Sequence, residues 1–103
     1  MARRLNYSKG DPISSSFRTS DGDVISTAGL LWGCAVYSNG ADDLLAEIYD
    51  GNPGTKKLKV NCKGSVLQAG GMLPFPIECS TSIRVDITGT VTGNAEVCVL
   101  YQV

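Results

Sequence analysis

The sequence predicts an all-β protein: a single antiparallel β-sandwich, jelly-roll-like, of about eight short strands, with an extended N-terminal arm. Three observations carry that expectation. Apolar and polar residues alternate with a period of two in short runs. Turn signals recur about every 8 to 12 positions. The composition favours strands, with twelve Gly and many Thr, Ser and Val but few long runs of Ala, Glu, Lys or Leu. A chain of 103 residues, 43% hydrophobic and 18% charged, has room for one domain with a core of its own.

The C-terminal runs Ser82 to Thr88 and Ala95 to Val103 show the alternation best. Ile83, Val85 and Ile87 alternate with Arg84, Asp86 and Thr88, and Val97, Val99, Tyr101 and Val103 with Glu96, Cys98, Leu100 and Gln102. The connecting residues Gly89 to Asn94 tolerate positive φ, so the two runs are expected to pair as a hairpin. A lone hairpin cannot bury its apolar face, and a second sheet must come from earlier in the chain.

Residues 1–20 scatter Leu5, Tyr7, Ile13 and Phe17 without period, which reads as an arm ahead of a sandwich domain over 21–103. Ser20-Asp21-Gly22-Asp23 is a turn and Val24 to Thr27 a short strand. In Gly29 to Ser38, Leu30, Trp32, Cys34 and Val36 alternate with Leu31, Gly33, Ala35 and Tyr37. Both faces are nonpolar, which suits a central strand covered on each side, by a core or by a subunit contact. Asn39-Gly40 is the dipeptide most favourable to a tight hairpin turn. Leu44 to Tyr49 alternates as a strand; a helix over Ala41 to Ile48 competes, but the breaker Asp50-Gly51-Asn52-Pro53-Gly54 leaves it only about two turns. Leu58, Val60 and Cys62 alternate with Lys57, Lys59, Asn61 and Lys63, the pattern of an edge strand protected by lysines. Val66 to Leu73 is interrupted at Gly70-Gly71, Pro74-Phe75-Pro76 forces an extended path, and Ile77 to Cys79 is a brief strand.

Net charge is −1, unevenly placed. Arg3, Arg4, Lys9 and Arg18 against Asp11 leave residues 1–20 at +3, so the remainder carries −4. A basic arm on an acidic body reads first as a solvated tail and second as an arm that docks on a neighbouring subunit through Arg3, Arg4, Tyr7, Phe17 and Arg18, and Trp32 reads as an anchor of either the core or an interface. The arm is too weakly charged to hold nucleic acid. Met1-Ala-Arg-Arg is followed by Leu-Asn-Tyr-Ser-Lys rather than an apolar segment, so neither export nor a membrane partner is expected.

No catalytic residue is assigned, because the chain has no histidine and no base placed beside a nucleophile. No cofactor or metal is expected either. Cys34, Cys62, Cys79 and Cys98 are separated by 28, 17 and 19 positions, without metal-knuckle or redox spacing, and read as reduced core residues. Asp42, Asp43, Glu47 and Asp50, and Asp21 with Asp23, have the oxygens for calcium but not the spacing of a binding loop, and read as turn residues.

The order Gly29-Leu-Leu-Trp-Gly-Cys-Ala-Val-Tyr-Ser-Asn-Gly-Ala, Glu47-Ile-Tyr-Asp-Gly-Asn, Leu73-Pro-Phe-Pro-Ile-Glu-Cys, Ile83-Arg-Val-Asp-Ile-Thr-Gly-Thr and Ala95-Glu-Val-Cys-Val-Leu-Tyr resembles small β-sandwich virion proteins of tailed bacteriophages and marine viral sequences. The resemblance covers residues 24–103 and lies in the strand framework. It implies a non-enzymatic structural protein of a virion, of the capsid decoration (cement) or neck and tail type. Such a protein would be a homotrimer assembled in the host cytoplasm, with the major capsid protein or another virion subunit as partner. The reading from a different class is a carbohydrate- or ligand-binding sandwich that uses Trp32, Tyr37 or Tyr49 as a stacking platform.

Overall fold

The computed structural model describes residues 13–15, 17–38, 43–52, 54–63, 67–89 and 96–103. Eight strands follow in chain order: β1 (Ile13–Ser14), β2 (Gly22–Ile25), β3 (Gly29–Tyr37), β4 (Leu44–Gly51), β5 (Gly54–Cys62), β6 (Gln68–Cys79), β7 (Ile83–Gly89) and β8 (Glu96–Gln102). They form two four-stranded antiparallel sheets, sheet A in the order β1-β8-β3-β6 and sheet B in the order β2-β7-β4-β5.

This is the strand order of a jelly roll. β4 pairs with β5, β3 with β6, β2 with β7 and β1 with β8. The chain thus doubles back at the β4–β5 turn and the doubled ribbon wraps around the core. The reversal is the Asp-Gly-Asn-Pro-Gly stretch: Gly51 pairs with Gly54, and Gly51 takes a φ of 94°, a left-handed conformation that side chains resist. Leu44 to Gly51 is a strand, and the competing helix does not form.

Two expected hairpins are corrected by this wrapping. β7 and β8 keep their alternation, yet β7 lies in sheet B between β2 and β4, and β8 in sheet A between β1 and β3. Likewise β3 and β4 lie in different sheets, so no hairpin joins them; Asn39 and Gly40 fall outside the described residues. Tight-turn residues specify a reversal, but they do not say whether the chain returns in its own sheet or crosses to the other. The interrupted segment around Gly70-Gly71 and Pro74-Phe75-Pro76 is one strand, β6, with an irregularity between Met72 and Ile77.

Packing follows the alternation. Leu44, Ala46 and Ile48 of β4, Ile83 and Val85 of β7, and Val97 and Val99 of β8 are buried, together with Leu31, Cys34, Val36, Cys62 and Cys79. Burying each such Leu, Ile or Val stabilises the fold by about 1.5–3 kcal/mol. β5 is an edge strand, as its lysines predict.

β3 departs from strict alternation. Its pairing with both β8 and β6 shifts between Leu31 and Gly33, which makes Trp32 a bulged residue. Leu31, Cys34 and Val36 therefore share the core face, and Leu30, Ala35 and Tyr37 lie on the other. The expected grouping of Leu30 and Trp32 with Cys34 and Val36 is corrected accordingly. Gly33, beside the bulge, has a φ of 149°, and a Cβ there would collide with the Gly71 carbonyl oxygen.

At one end of the sandwich, the corner where the chain passes from β6 to β7 is held by Asp50. Its carboxylate accepts from the Ser80 amide (2.8 Å) and hydroxyl (3.1 Å), the Thr81 amide (2.8 Å) and the Ser82 amide (3.3 Å). The buried Ser82 hydroxyl in turn accepts from the Gly51 amide at 3.1 Å. The Ser80 amide, followed by that of Thr81, holds the Asp50 pKa down at about 2.

An unfolded aspartate titrates near about 3.9, so this carboxylate's stabilisation is full above about pH 4 and is lost as pH falls through its folded value. Asp50→Asn should lower the thermal midpoint at pH 7. Between about pH 4 and pH 2 the wild type should then lose more stability than the variant. A midpoint gap that stays constant from pH 5 to pH 2 would contradict this assignment.

Candidate interaction surface

The two outer faces of the sandwich differ in chemistry. Cross-strand partners share a face. On sheet B that rule groups Asp23 with Arg84, and Glu47 with Lys59 and Asp86. Arg84 meets Asp86 at 3.0 Å, and Glu47 pairs with Lys56, whose ammonium also lies 6.0 Å from the Tyr49 ring centre. The charges of this face pair with one another, beside Leu45 and Tyr49.

On sheet A the same rule groups Leu30 with Gln102, Ala35 with Cys98, Gly33 with Leu100 and Met72, and Tyr37 with Glu96. No third layer covers this face among the described residues. Ala35 is buried there, while Leu30, Trp32, Tyr37 and Leu100 are half-buried. The bulge turns the Trp32 ring onto this face, where its Nε1 donates to Gln102 Oε1 at 2.7 Å.

The residues expected to bind a partner divide into three groups. Arg3, Arg4 and Tyr7 fall outside the described residues. Phe17 is 60% exposed and meets Tyr37 edge-on, with ring centres 5.7 Å apart and planes at 81°. Arg18 bonds in both directions with Val97: its amide donates to the Val97 carbonyl (2.8 Å), and the Val97 amide donates to its own (2.9 Å). Its Nε is buried without a hydrogen-bond partner.

Phe17 and Trp32 thus lie on one side of the molecule, around the sheet A face. Ile13 to Ser15 and Arg18, counted with the arm on sequence grounds, pair with β8. The Ser15 amide donates to the Val99 carbonyl at 2.7 Å, and the Val99 amide to Ser15 Oγ at 2.9 Å. Ile13 is the one apolar clue to this docking, and a two-residue strand is too short to show a period.

The acidic clusters are taken apart by the fold. Asp50 serves the β6–β7 corner, Asp43 lies 4.0 Å from Lys63, and Asp21 Oδ1 accepts from the Ile87 amide at 2.7 Å. Asp42 falls outside the described residues. Among the described residues no three metal-ligating side chains converge.

None of the four cysteines forms a disulfide; Cys34, Cys62 and Cys79 are buried and Cys98 is half-buried. Burial, with a smaller effect of neighbouring Cys98, pushes the Cys34 thiol up to about 12, and burial also raises Cys79. Such thiols are packing groups rather than nucleophiles. Comparison with family models, curated proteins and solved structures finds no match.

Two outcomes follow. Removing residues 2–18 should lower stability by on the order of 2 kcal/mol relative to removing residues 2–12, because the β8 bonds to Ser15 and Arg18 disappear. Denaturant unfolding of both truncations, if it gave equal stabilities, would show that this strand contributes nothing. In native protein at pH 8, an alkylating reagent should modify Cys98 ahead of the other three, and all four should react in urea. Rapid labelling of Cys34, located by peptide mass, would contradict its burial.

Proposed function

We propose that this protein is a non-enzymatic structural subunit of a bacteriophage virion. In this reading it is a decoration (cement) protein that self-associates, most simply as a homotrimer, and attaches to the capsid surface. The observation that carries the reading is the contrast between faces: sheet B presents paired charges, whereas sheet A presents Leu30, Trp32, Tyr37 and Leu100 in its middle, between Glu78 and Glu96, with no covering layer among the described residues. Jelly rolls are used as viral capsid domains, and an exposed apolar patch marks an interaction site. Many identical weak contacts add up through avidity, which suits a protein that must stay attached outside a cell. The strand-framework resemblance points the same way.

The sugar-platform reading gains nothing from the ring geometry. Trp32 is tied to Gln102, Tyr37 is packed by Phe17, and Tyr49 lies beside Lys56. The cleft that contains a carboxylate, lined by Ala28, Gly29, Leu30, Glu78, Cys79 and Ser80, has no aromatic wall.

The test is mass and occupancy together. Light scattering at micromolar concentration should give a multiple of 10.9 kDa. Purified protein added to particles stripped of it should rebind and raise their resistance to heat. A protein that neither self-associates nor appears in virions by mass spectrometry would overturn the proposal.

A further inference from the structure

Charge is divided unequally between the two sheets. The four strands of sheet A carry two charged residues, Glu78 and Glu96, and no lysine or arginine. Every cation within a strand, Lys56, Lys57, Lys59 and Arg84, belongs to sheet B. Arg18 pairs with Val97 of β8 through its backbone, yet its guanidinium turns away from sheet A: a Cβ on Gly22 of β2 would lie 2.6 Å from the Arg18 Nη2.

Both glutamates lie on the outer face of sheet A. Glu78 is the cross-strand partner of Leu30 and Glu96 that of Tyr37, so they sit at opposite ends of β3 and on opposite sides of it. That spacing is roughly 20 Å along the strands and roughly 10 Å across them. Between them lie Trp32, Ala35 and Leu100, with Met72 on the edge strand 60% exposed. On sheet B, Glu47 and Asp86 each meet a cation, whereas among the described residues Glu78 and Glu96 meet none. An unpaired carboxylate is at ease in water, but beneath a covering surface it needs a cation.

Charge and area decide what that covering surface is. A second copy laid face to face would bring two more carboxylates and no cation, so each end of the contact would gather like charge. Nucleic acid and anionic lipid headgroups are repelled for the same reason. The face between the glutamates measures roughly 20 Å by roughly 15 Å, or about 300 Å². A stable pair of proteins needs about 800 Å² from each partner, so this face suits a weak contact repeated over many copies.

We propose that the outer face of sheet A is the attachment face, and that it takes a protein surface with an apolar centre and a lysine or arginine at each end, placed to meet Glu78 and Glu96. The inference rests on the attachment proposed above, and it gives the contact between copies to another part of the molecule. Apolar burial holds the partner on the face, and the two carboxylates set its register.

The test measures occupancy of the full chain on stripped particles in low and in high salt, with oligomer mass followed by sedimentation velocity. Wild-type occupancy should fall as salt rises, because the two rim pairs are screened. Glu78→Lys combined with Glu96→Lys should weaken binding at least tenfold in low salt while keeping the thermal midpoint and the oligomer mass, since neither carboxylate has a partner to lose. Glu78→Gln combined with Glu96→Gln should flatten the salt dependence. Met72→Ser should weaken binding in either salt, and Lys59→Gln, on the opposite face, should change nothing. Should the double lysine variant fail to fold, the double glutamine variant decides. Unchanged occupancy and salt dependence in the glutamate variants, or an equal loss in Lys59→Gln, would overturn this face and leave attachment standing. A wild type that does not rebind stripped particles would overturn attachment itself. Loss of oligomer mass in the double lysine variant would assign the face to the contact between copies, which also overturns the proposal.

Discussion

A jelly roll stands or falls on its crossings. Every connection in this chain except the β4–β5 hairpin passes from one sheet to the other, and a crossing corner has backbone amides that no ladder can satisfy. At the β6–β7 corner a single carboxylate, that of Asp50, takes three such amides and a hydroxyl, while Ser82 closes the loop back to Gly51. The central reversal and the later crossing are thereby fixed to each other. With that corner in place, β7 puts Val85 opposite Ile48 of β4 and Ile83 opposite Ile25 of β2, and the two sheets keep a common core.

The asymmetry between the outer faces follows from the bulge in β3. With unbroken alternation, Trp32 would share a face with Cys34 and Val36, and the core would have to accommodate an indole. The extra residue returns Leu31, Cys34 and Val36 to one side and places the indole outside, tied to Gln102. β6 answers the same irregularity on its side with a longer excursion, which carries Phe75 outward. One local shift in register thus governs both the apolar middle of the sheet A face and the projection on its edge.

Much of this was legible in the sequence, and the boundary of legibility has a physical cause. Alternation placed Leu44, Ala46, Ile48, Ile83, Val85, Val97 and Val99 inward, because a half-buried strand must sort its side chains by face. The lysines of β5 marked an edge, and Asp50 to Gly54 marked a reversal. Pairing was not legible: the same Gly-rich link between β7 and β8 serves a hairpin or a crossing equally well. The bulge left no clear trace, since Gly33 fits alternation as well as irregularity. Ser15 and Arg18 were hidden for a third reason, for they are held mainly through backbone bonds to Val99 and Val97, which have no sequence signature. The surface was legible only in outline. The doubly apolar run of β3 announced a face in need of cover, but that no cation within a strand shares it emerges only once the strands are sorted into sheets.

The nested pairing of strands around the chain's midpoint bears on how the protein is made. A ribosome delivers β1 first, yet its partner β8 is the last of the eight strands. β2 and β3 likewise wait for β7 and β6. Until the second half emerges, Leu31, Cys34 and Val36 have no strand partner in their own sheet and stand open to water or to another nascent chain. The fold can close only from its centre outward, with each later pairing spanning a longer loop. Synthesis thus leaves an interval, set by the time taken to translate β6 to β8, in which an apolar half-protein exists without its complement. In a crowded cell, neighbouring copies on one messenger would be the nearest source of a mistaken partner.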